Sequence, residues 1–235
     1  MTHKNDRTVQ DGEDHSLIML KRIYDIHENI IKKASWACKE RCSTCCTRNV
    51  ALTTLEGRYI LEALPPEKRK PIFDQLTPLQ SGKRYQPKLT TNGFAEACVN
   101  NLDTPEEEND PSWGVCPILK NSRCPIYERR PMGCRIMVSE VQCHDSSGAL
   151  MAEKFIIIGQ LFLQYVEHLD QNGHYGNLID ILLLLESRMG KNSGRQQDQL
   201  SPVLKNSPAS YLLIPPEYQA EIWPLLMDLK KIVDS

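Results

Sequence analysis

The sequence predicts a mainly α protein: a single compact helical domain with a proline-rich, cysteine-bearing segment and at most short strands. Three observations carry that expectation. Apolar residues recur at spacings of three and four from Leu17 to Ala34, the period of a helix with one buried face. Two later stretches, residues 151–168 and 178–189, are apolar nearly all round, as helices inside a core are. Between these regions, Pro117, Pro125 and Pro131 fall almost evenly along residues 116–137 and exclude one long helix there.

Composition sets the class. A chain of 235 residues can bury a core without disulfide staples, and 40% hydrophobic with 25% charged residues is ordinary for a soluble protein. Net charge is −2 and the lysines and arginines are scattered, so no electrostatic footprint for nucleic acid is evident. The first fourteen residues are polar and lack the apolar core of a secretory signal, which points to a cytoplasmic protein. No stretch reaches the roughly twenty apolar residues of a membrane span.

Taken in order, residues 1–14 read as a disordered tail and 15–235 as one domain, with 38–143 the cysteine region and 150–235 the helical core and C-terminal helices. The first helix shows Leu17, Leu20, Tyr24, His27, Ile31 and Ala34 on one face, with His27 as a packing residue. That stripe stays in register through Cys38, Cys42 and Cys45, which predicts the first cysteines on the same face or at the fraying end. Val50 and Leu52 suggest a short extended piece. Thr53 and Glu56 then have the spacing of a capping box, opening a helix that Pro65 and Pro66 end. Residues 67–75 read as a helix limited by Pro71, 76–88 as a connection, and 92–101 as a short helix carrying Cys98.

Residues 103–112 form an acidic, solvated loop. A helical turn is expected from Pro131, carrying Cys134 and Arg135, followed by a strand at 137–141 and a turn at 145–148. Residues 170–176 join the two apolar helices, and 190–210 read as a long loop. A last helical region starts at Pro215 and Pro216, breaks at Pro224 and ends near Val233.

The cysteines carry the chemistry. Cys38, Cys42, Cys45 and Cys46 lie within nine residues, and Cys116, Cys124, Cys134 and Cys143 answer them about seventy residues later. Thiolates gathered like this in a reducing compartment point to a soft metal. Cys42 and Cys45 form a CxxC pair, an element that usually combines with a distant pair, here drawn from Cys116, Cys124 and Cys134. Eight thiolates suit about two zinc ions, and four suit one four-iron cluster. Either site is anionic and wants cations nearby. Arg41, Arg48, Arg123, Arg129, Arg130 and Arg135 lie within a few residues, with Arg135 the preferred donor behind the ligands. A disulfide framework is disfavoured by the odd count of nine and by the strain of bonding neighbours such as Cys45 and Cys46.

The pattern CKERCSTCC followed by CPILKNSRCPIYERRPMGCR resembles the YkgJ-like CxxCxxCC cysteine-cluster proteins, a family described as zinc- or iron-chelating with eight cysteines. The resemblance covers residues 38–143. It implies Cys38, Cys42, Cys45, Cys46, Cys116, Cys124, Cys134 and Cys143 as metal ligands and leaves Cys98 as a buried thiol. The first gap departs from the family by one residue. A related cluster occurs in flagellin lysine N-methylases, so the resemblance also admits an iron-sulfur-dependent methyltransferase.

The expected function is metal binding, of zinc or an iron-sulfur cluster. The alternatives are an iron-sulfur-dependent enzyme, either methyltransferase or oxidoreductase, and a zinc-stabilised protein-interaction module. No Gly-rich phosphate turn, HExxH pattern, paired carboxylates or Ser-His-Asp order stands out, and no protein partner is indicated. His144 beside Cys143 reads as a surface residue. Tyr127 is expected to pack its ring against the site and Glu128 to pair with an arginine.

Overall fold

The computed structural model describes residues 5–143, 148–189 and 203–235, with side chains from residue 15 onward. His144, most of the turn at 145–148 and the first part of the loop at 190–210 lie outside the described residues. The elements are α1 (Asn5–Ile31), β1 (Ala51–Thr53), α2 (Thr54–Glu62), α3 (Pro66–Leu76), α4 (Thr91–Val99), α5 (Met132–Arg135), α6 (Glu153–Leu169), β2 (His174–Asn177), α7 (Leu178–Met189), β3 (Leu204–Lys205) and α8 (Gln219–Val233). The fold is mainly helical, with one small antiparallel sheet ordered β1-β2-β3.

Two apolar cores meet at α2. One gathers Leu20, Ile23 and Tyr24 of α1, Leu161 and Phe162 of α6, and Leu229 of α8, with Leu55 and Tyr59 of α2. The other gathers Ile179, Ile181, Leu182 and Leu183 of α7 with Phe73 and Leu76 of α3 and Ile60 and Leu61 of α2. Helix α2 reaches the second core because Gly57 lets α7 approach closely. A Cβ there would stand 2.6 Å from Leu185 Cδ1. All eight residues from Leu178 to Leu185 are buried, in keeping with a helix that is apolar all round.

The capping box forms as its spacing predicts. Thr53 Oγ1 accepts from the Glu56 N–H, and Glu56 Oε2 accepts from the Thr53 N–H at 2.9 Å. The same N-terminus is also met by Asp170, whose Oδ2 accepts from the Leu55 N–H at 2.9 Å and from the Thr54 hydroxyl at 2.6 Å. Gly173 is required beside it, since a Cβ would lie 2.2 Å from Asp170 Oδ2 and Thr54 Oγ1.

Several expectations are corrected. Helix α1 reaches back to Asn5, into the segment read as a tail, and stops at Ile31, so Cys38, Cys42 and Cys45 do not continue its face. The Trp36 indole N–H takes the Ile31 carbonyl at 2.9 Å, and the Ala37 N–H turns away to Ser139 O at 2.8 Å. Residues 137–141 are not a strand. Ser139 spends its carbonyl on Ala37 and its hydroxyl on Leu150 and Val141, so no ladder is built.

Pro71 and Pro224 sit inside α3 and α8 without ending them. The residues four back, Glu67 and Ala220, are exposed, where water can take the freed carbonyl. Strand β2 replaces the expected plain connection between α6 and α7. Leu52 pairs with Gly176 across β1 and β2, and the Leu178 N–H donates to Val50 O at 2.8 Å.

One buried ion pair pins the connection after α3. Arg84 Nε and Nη2 donate to Asp180 Oδ2 and Oδ1 at 3.0 and 2.8 Å, and both side chains are 3% exposed. Among the described residues no helix is long and apolar enough to cross a membrane.

Candidate metal centre

Backbone pairing brings the two cysteine clusters together. The Cys116 N–H donates to Cys46 O and the Arg48 N–H to Gly114 O, each at 2.9 Å, around a bridge between Thr47 and Val115. Two alike turns follow. In Cys116-Pro117-Ile118, the Leu119 N–H closes onto Cys116 O at 3.1 Å, and in Cys124-Pro125-Ile126 the Tyr127 N–H closes onto Cys124 O at 3.2 Å. In both, the backbone two residues on, Ile118 for Cys116 and Ile126 for Cys124, partly offsets the rise that burial gives the thiol pKa. Each isoleucine is buried in the α7 core, at 3% and 5% exposure, so the core holds the turns in place.

The turns are joined by a tight hairpin. Lys120 and Arg123 exchange two backbone hydrogen bonds of 2.9 Å, with Asn121 and Ser122 both left-handed at φ 50° and 59°. That is the geometry of a two-residue primed turn, which folds Cys124 back beside Cys116. Cys134 arrives from the other side on α5, the helical turn expected after Pro131. Its position is set by Glu56, whose Oε1 accepts from the Met132 N–H at 2.7 Å and from the Tyr24 hydroxyl at 2.8 Å.

Cys38 and Cys143 are brought near each other separately. Besides the bond from Ala37 to Ser139, the Gln142 amide donates to Ala37 O at 2.7 Å. Cys38, Cys42 and Cys45 are exposed, whereas Cys46, Cys116, Cys124, Cys134 and Cys143 are half-buried. Cys98 is exposed on α4, correcting its reading as a buried thiol, because that face of the short helix turns outward.

The electrostatics follow from this crowding. Burial pushes the Cys134 thiol far above its ordinary range, and the nearby Cys116, Cys124 and Cys45 push it further. Burial likewise raises Cys116 and Cys124 against the pull of that backbone. Cys45 donates a hydrogen bond to Cys46, which raises Cys45 and holds Cys46 below the usual value. Cys38 is raised by burial, with Cys42, Cys143 and Cys45 as its thiol neighbours. Crowded, partly buried thiols that repel one another as anions are the donor set a soft cation relieves, since coordination deprotonates them.

The arginines divide differently from expectation. Arg135 is buried and donates to the carbonyls of Arg130 at 2.9 Å and Glu128 at 2.6 Å, with its guanidinium 4.1 Å from the Tyr24 ring centroid. It shapes the loop ahead of Cys134. Arg130 is the cation near the sulfurs; it only partly offsets the rise of Cys45, Cys124 and Cys134, and its buried Nε has no hydrogen-bond partner. Tyr127 is 58% exposed and lies under the Arg130 guanidinium at 3.7 Å. Glu128 meets Arg135 through its backbone carbonyl.

Among the described residues, no three His, Cys, Asp or Glu side chains already stand in ligand geometry around one point. The donors are nonetheless of the kind a thiolate-binding metal takes: backbone pairing and the hairpin bring the half-buried Cys46, Cys116 and Cys124 onto adjoining loops, and the Arg130 guanidinium has an unpartnered nitrogen. The sequence reading missed the anchoring roles of Gln142, Ser139 and Glu56. Of these only Glu56 carried a local signal, its capping-box spacing. Compared with known proteins, the chain matches no family model, no curated protein and no solved structure.

Proposed function

We propose that the chain is a metal-binding protein whose two cysteine clusters hold zinc or an iron-sulfur cluster. The observation that carries this reading is the backbone pairing of Cys46 with Cys116, which joins the first cysteine cluster to the second. Zinc would cross-link these loops, and an iron-sulfur cluster would store an electron. The likeness of the cysteine motifs to the YkgJ-like proteins supports the same reading. The proposal includes a cytoplasmic location, a reducing compartment in which nine free cysteines persist.

The test is metal and acid-labile sulfide content, with an absorption spectrum, on protein purified without oxygen. Iron with sulfide and a broad band near about 400 nm identifies a cluster. Colourless protein with about two zinc ions for eight thiolates identifies zinc. Cys45→Ser and Cys124→Ser are expected to lose metal and stability, and Cys98→Ser to keep both. Equal metal loss from all three variants would overturn the assignment.

A further inference from the structure

A cleft of about 420 Å³ lies where α4, α6 and β2 meet the acidic loop at 103–112. No cysteine lines it. Tyr85 and Leu89 reach it from the connection before α4, Phe94 from α4, Leu163 from α6 and Tyr175 from β2, so apolar and aromatic side chains from four parts of the chain converge there. Phe94 is 42% exposed, a large apolar side chain left open to solvent at the cleft. The acidic loop is exposed along its length, as a solvated loop is, yet one of its side chains ties it to the opposite segment. Glu107 Oε1 accepts from the Lys88 N–H at 2.7 Å and from the Leu89 N–H at 3.4 Å, and its Oε2 accepts from the Tyr85 hydroxyl. Beside it the Lys88 ammonium donates to Glu106 O at 2.7 Å.

We propose that this cleft binds a small organic cation, an ammonium group carried on an apolar body, with Glu107 as its counter-ion. The volume is that of a small-molecule site, and such sites combine an apolar lining with a few fixed polar groups. Glu107 supplies the fixed charge. Its three donors are all neutral, so they hold the carboxylate in place without offsetting its charge. A carboxylate has about four acceptor positions, which leaves one for an incoming N–H. Aromatic rings add to the attraction, because a ring face carries partial negative charge, and Tyr85, Phe94 and Tyr175 all line the cleft with Glu107. Leu89 and Leu163 suit the apolar body. Gln160 also lines the cleft and makes no side-chain hydrogen bond among the described residues, so its amide is open to a polar group of the ligand. An anion finds less here. The start of α4 would attract one, but the Asn92 N–H is taken by Glu167 Oε2 at 2.7 Å and the Gly93 N–H by Thr90 Oγ1 at 3.0 Å. The site is distinct from the cysteine clusters and does not rest on the metal-binding reading.

The experiment is isothermal titration of the full chain, at low salt, with three probes of nearly one shape: phenethylamine, the neutral phenethyl alcohol and the anionic phenylacetate. The expected result is one site per chain for the amine, with the alcohol at least about tenfold weaker and the acid not bound. Glu107→Gln is expected to bring the amine down to the level of the alcohol and to leave the alcohol unchanged, whereas Phe94→Ala weakens both. Circular dichroism checks that each variant keeps the wild-type fold. Should Glu107→Gln disturb the loop, the three probes on wild-type protein still decide. Equal binding of all three, an unchanged amine affinity in a folded Glu107→Gln, or no binding of the amine at millimolar concentration overturns the proposal. None of these measurements reads metal content, so their failure leaves the metal-binding reading standing.

Discussion

Glu56 Oε1 accepts the backbone N–H of Met132 at 2.7 Å, and so ties the first turn of α2 to the first residue of the helical turn that carries Cys134. The same carboxylate serves Tyr24 and Thr53, and all of these groups are buried. Glu56→Ala leaves three buried donors without an acceptor and is expected to destabilise the fold by at least about 3 kcal/mol. Glu56→Gln keeps one oxygen and is expected to cost about 1 kcal/mol. Urea unfolding midpoints measure both, and an alanine variant within error of wild type would show that the contact does not form.

Arg84 and Asp180 offer a cleaner energetic test. Each is 3% exposed, so removing either partner strands a charge in the interior. Arg84→Met and Asp180→Leu are each expected to cost about 3–5 kcal/mol. The double variant should be more stable than either single one, because two apolar side chains replace a pair whose desolvation roughly cancels its attraction. A double-mutant cycle with no coupling would contradict the buried pair.

The hairpin between Cys116 and Cys124 is strained at Ser122, which has φ 59°. Glycine adopts that conformation without the Cβ clash, and it is the favoured second residue of this turn. Ser122→Gly is expected to stabilise the protein by about 0.5–1 kcal/mol. Thermal unfolding of the metal-free protein reads this out, and a lower melting temperature would mean that the turn differs.

His27 makes stability depend on pH. Burial, with Arg135 and Arg130 nearby, lowers its pKa from 6.5 to about 4. Its ring stands edge-on to Phe162 at 5.0 Å. Between those two values the unfolded chain binds a proton that the folded one refuses. Stability is therefore undiminished above about pH 6.5, falls as the pH drops toward 4, and levels off below it. The full loss is about 3 kcal/mol. His27→Phe should flatten that part of the profile, and an unchanged slope in the variant would exclude His27 as its source.

What the sequence made legible was what local chemistry decides. The Thr53 and Glu56 pair marked the start of α2 because a capping box needs only four consecutive residues. The bounds of α7 and the turn at Pro131 were equally local. The contacts between distant stretches were not. Arg84 finds Asp180 across 96 residues, and Gln142 finds Ala37 across 105. Strand β2 has no alternating pattern in His-Tyr-Gly-Asn and exists because β1 and β3 pair with it. The helical stripe of α1 continued on paper through Cys45 because cysteine counts as apolar. In the fold, the Trp36 indole and the Ala37 N–H end the helix first. Arg135 looked like the cation for the thiols from its place beside Cys134, yet its guanidinium turns toward Tyr24 and the loop carbonyls.

The pairing of β1 with β2 has a consequence for the order in which the chain is made. Leu52 meets Gly176, and Val50 meets Leu178, so the segment leading out of Cys46 gains its sheet partner only after the ribosome has passed residue 178. By then all eight clustered cysteines have been synthesised. During translation at about 5–20 residues per second, the first four thiols therefore wait about 7–26 seconds before the β2 strand that supports their loop exists. Nascent chains would be most vulnerable to oxidation in that interval, and slowing elongation between the two clusters would lengthen it.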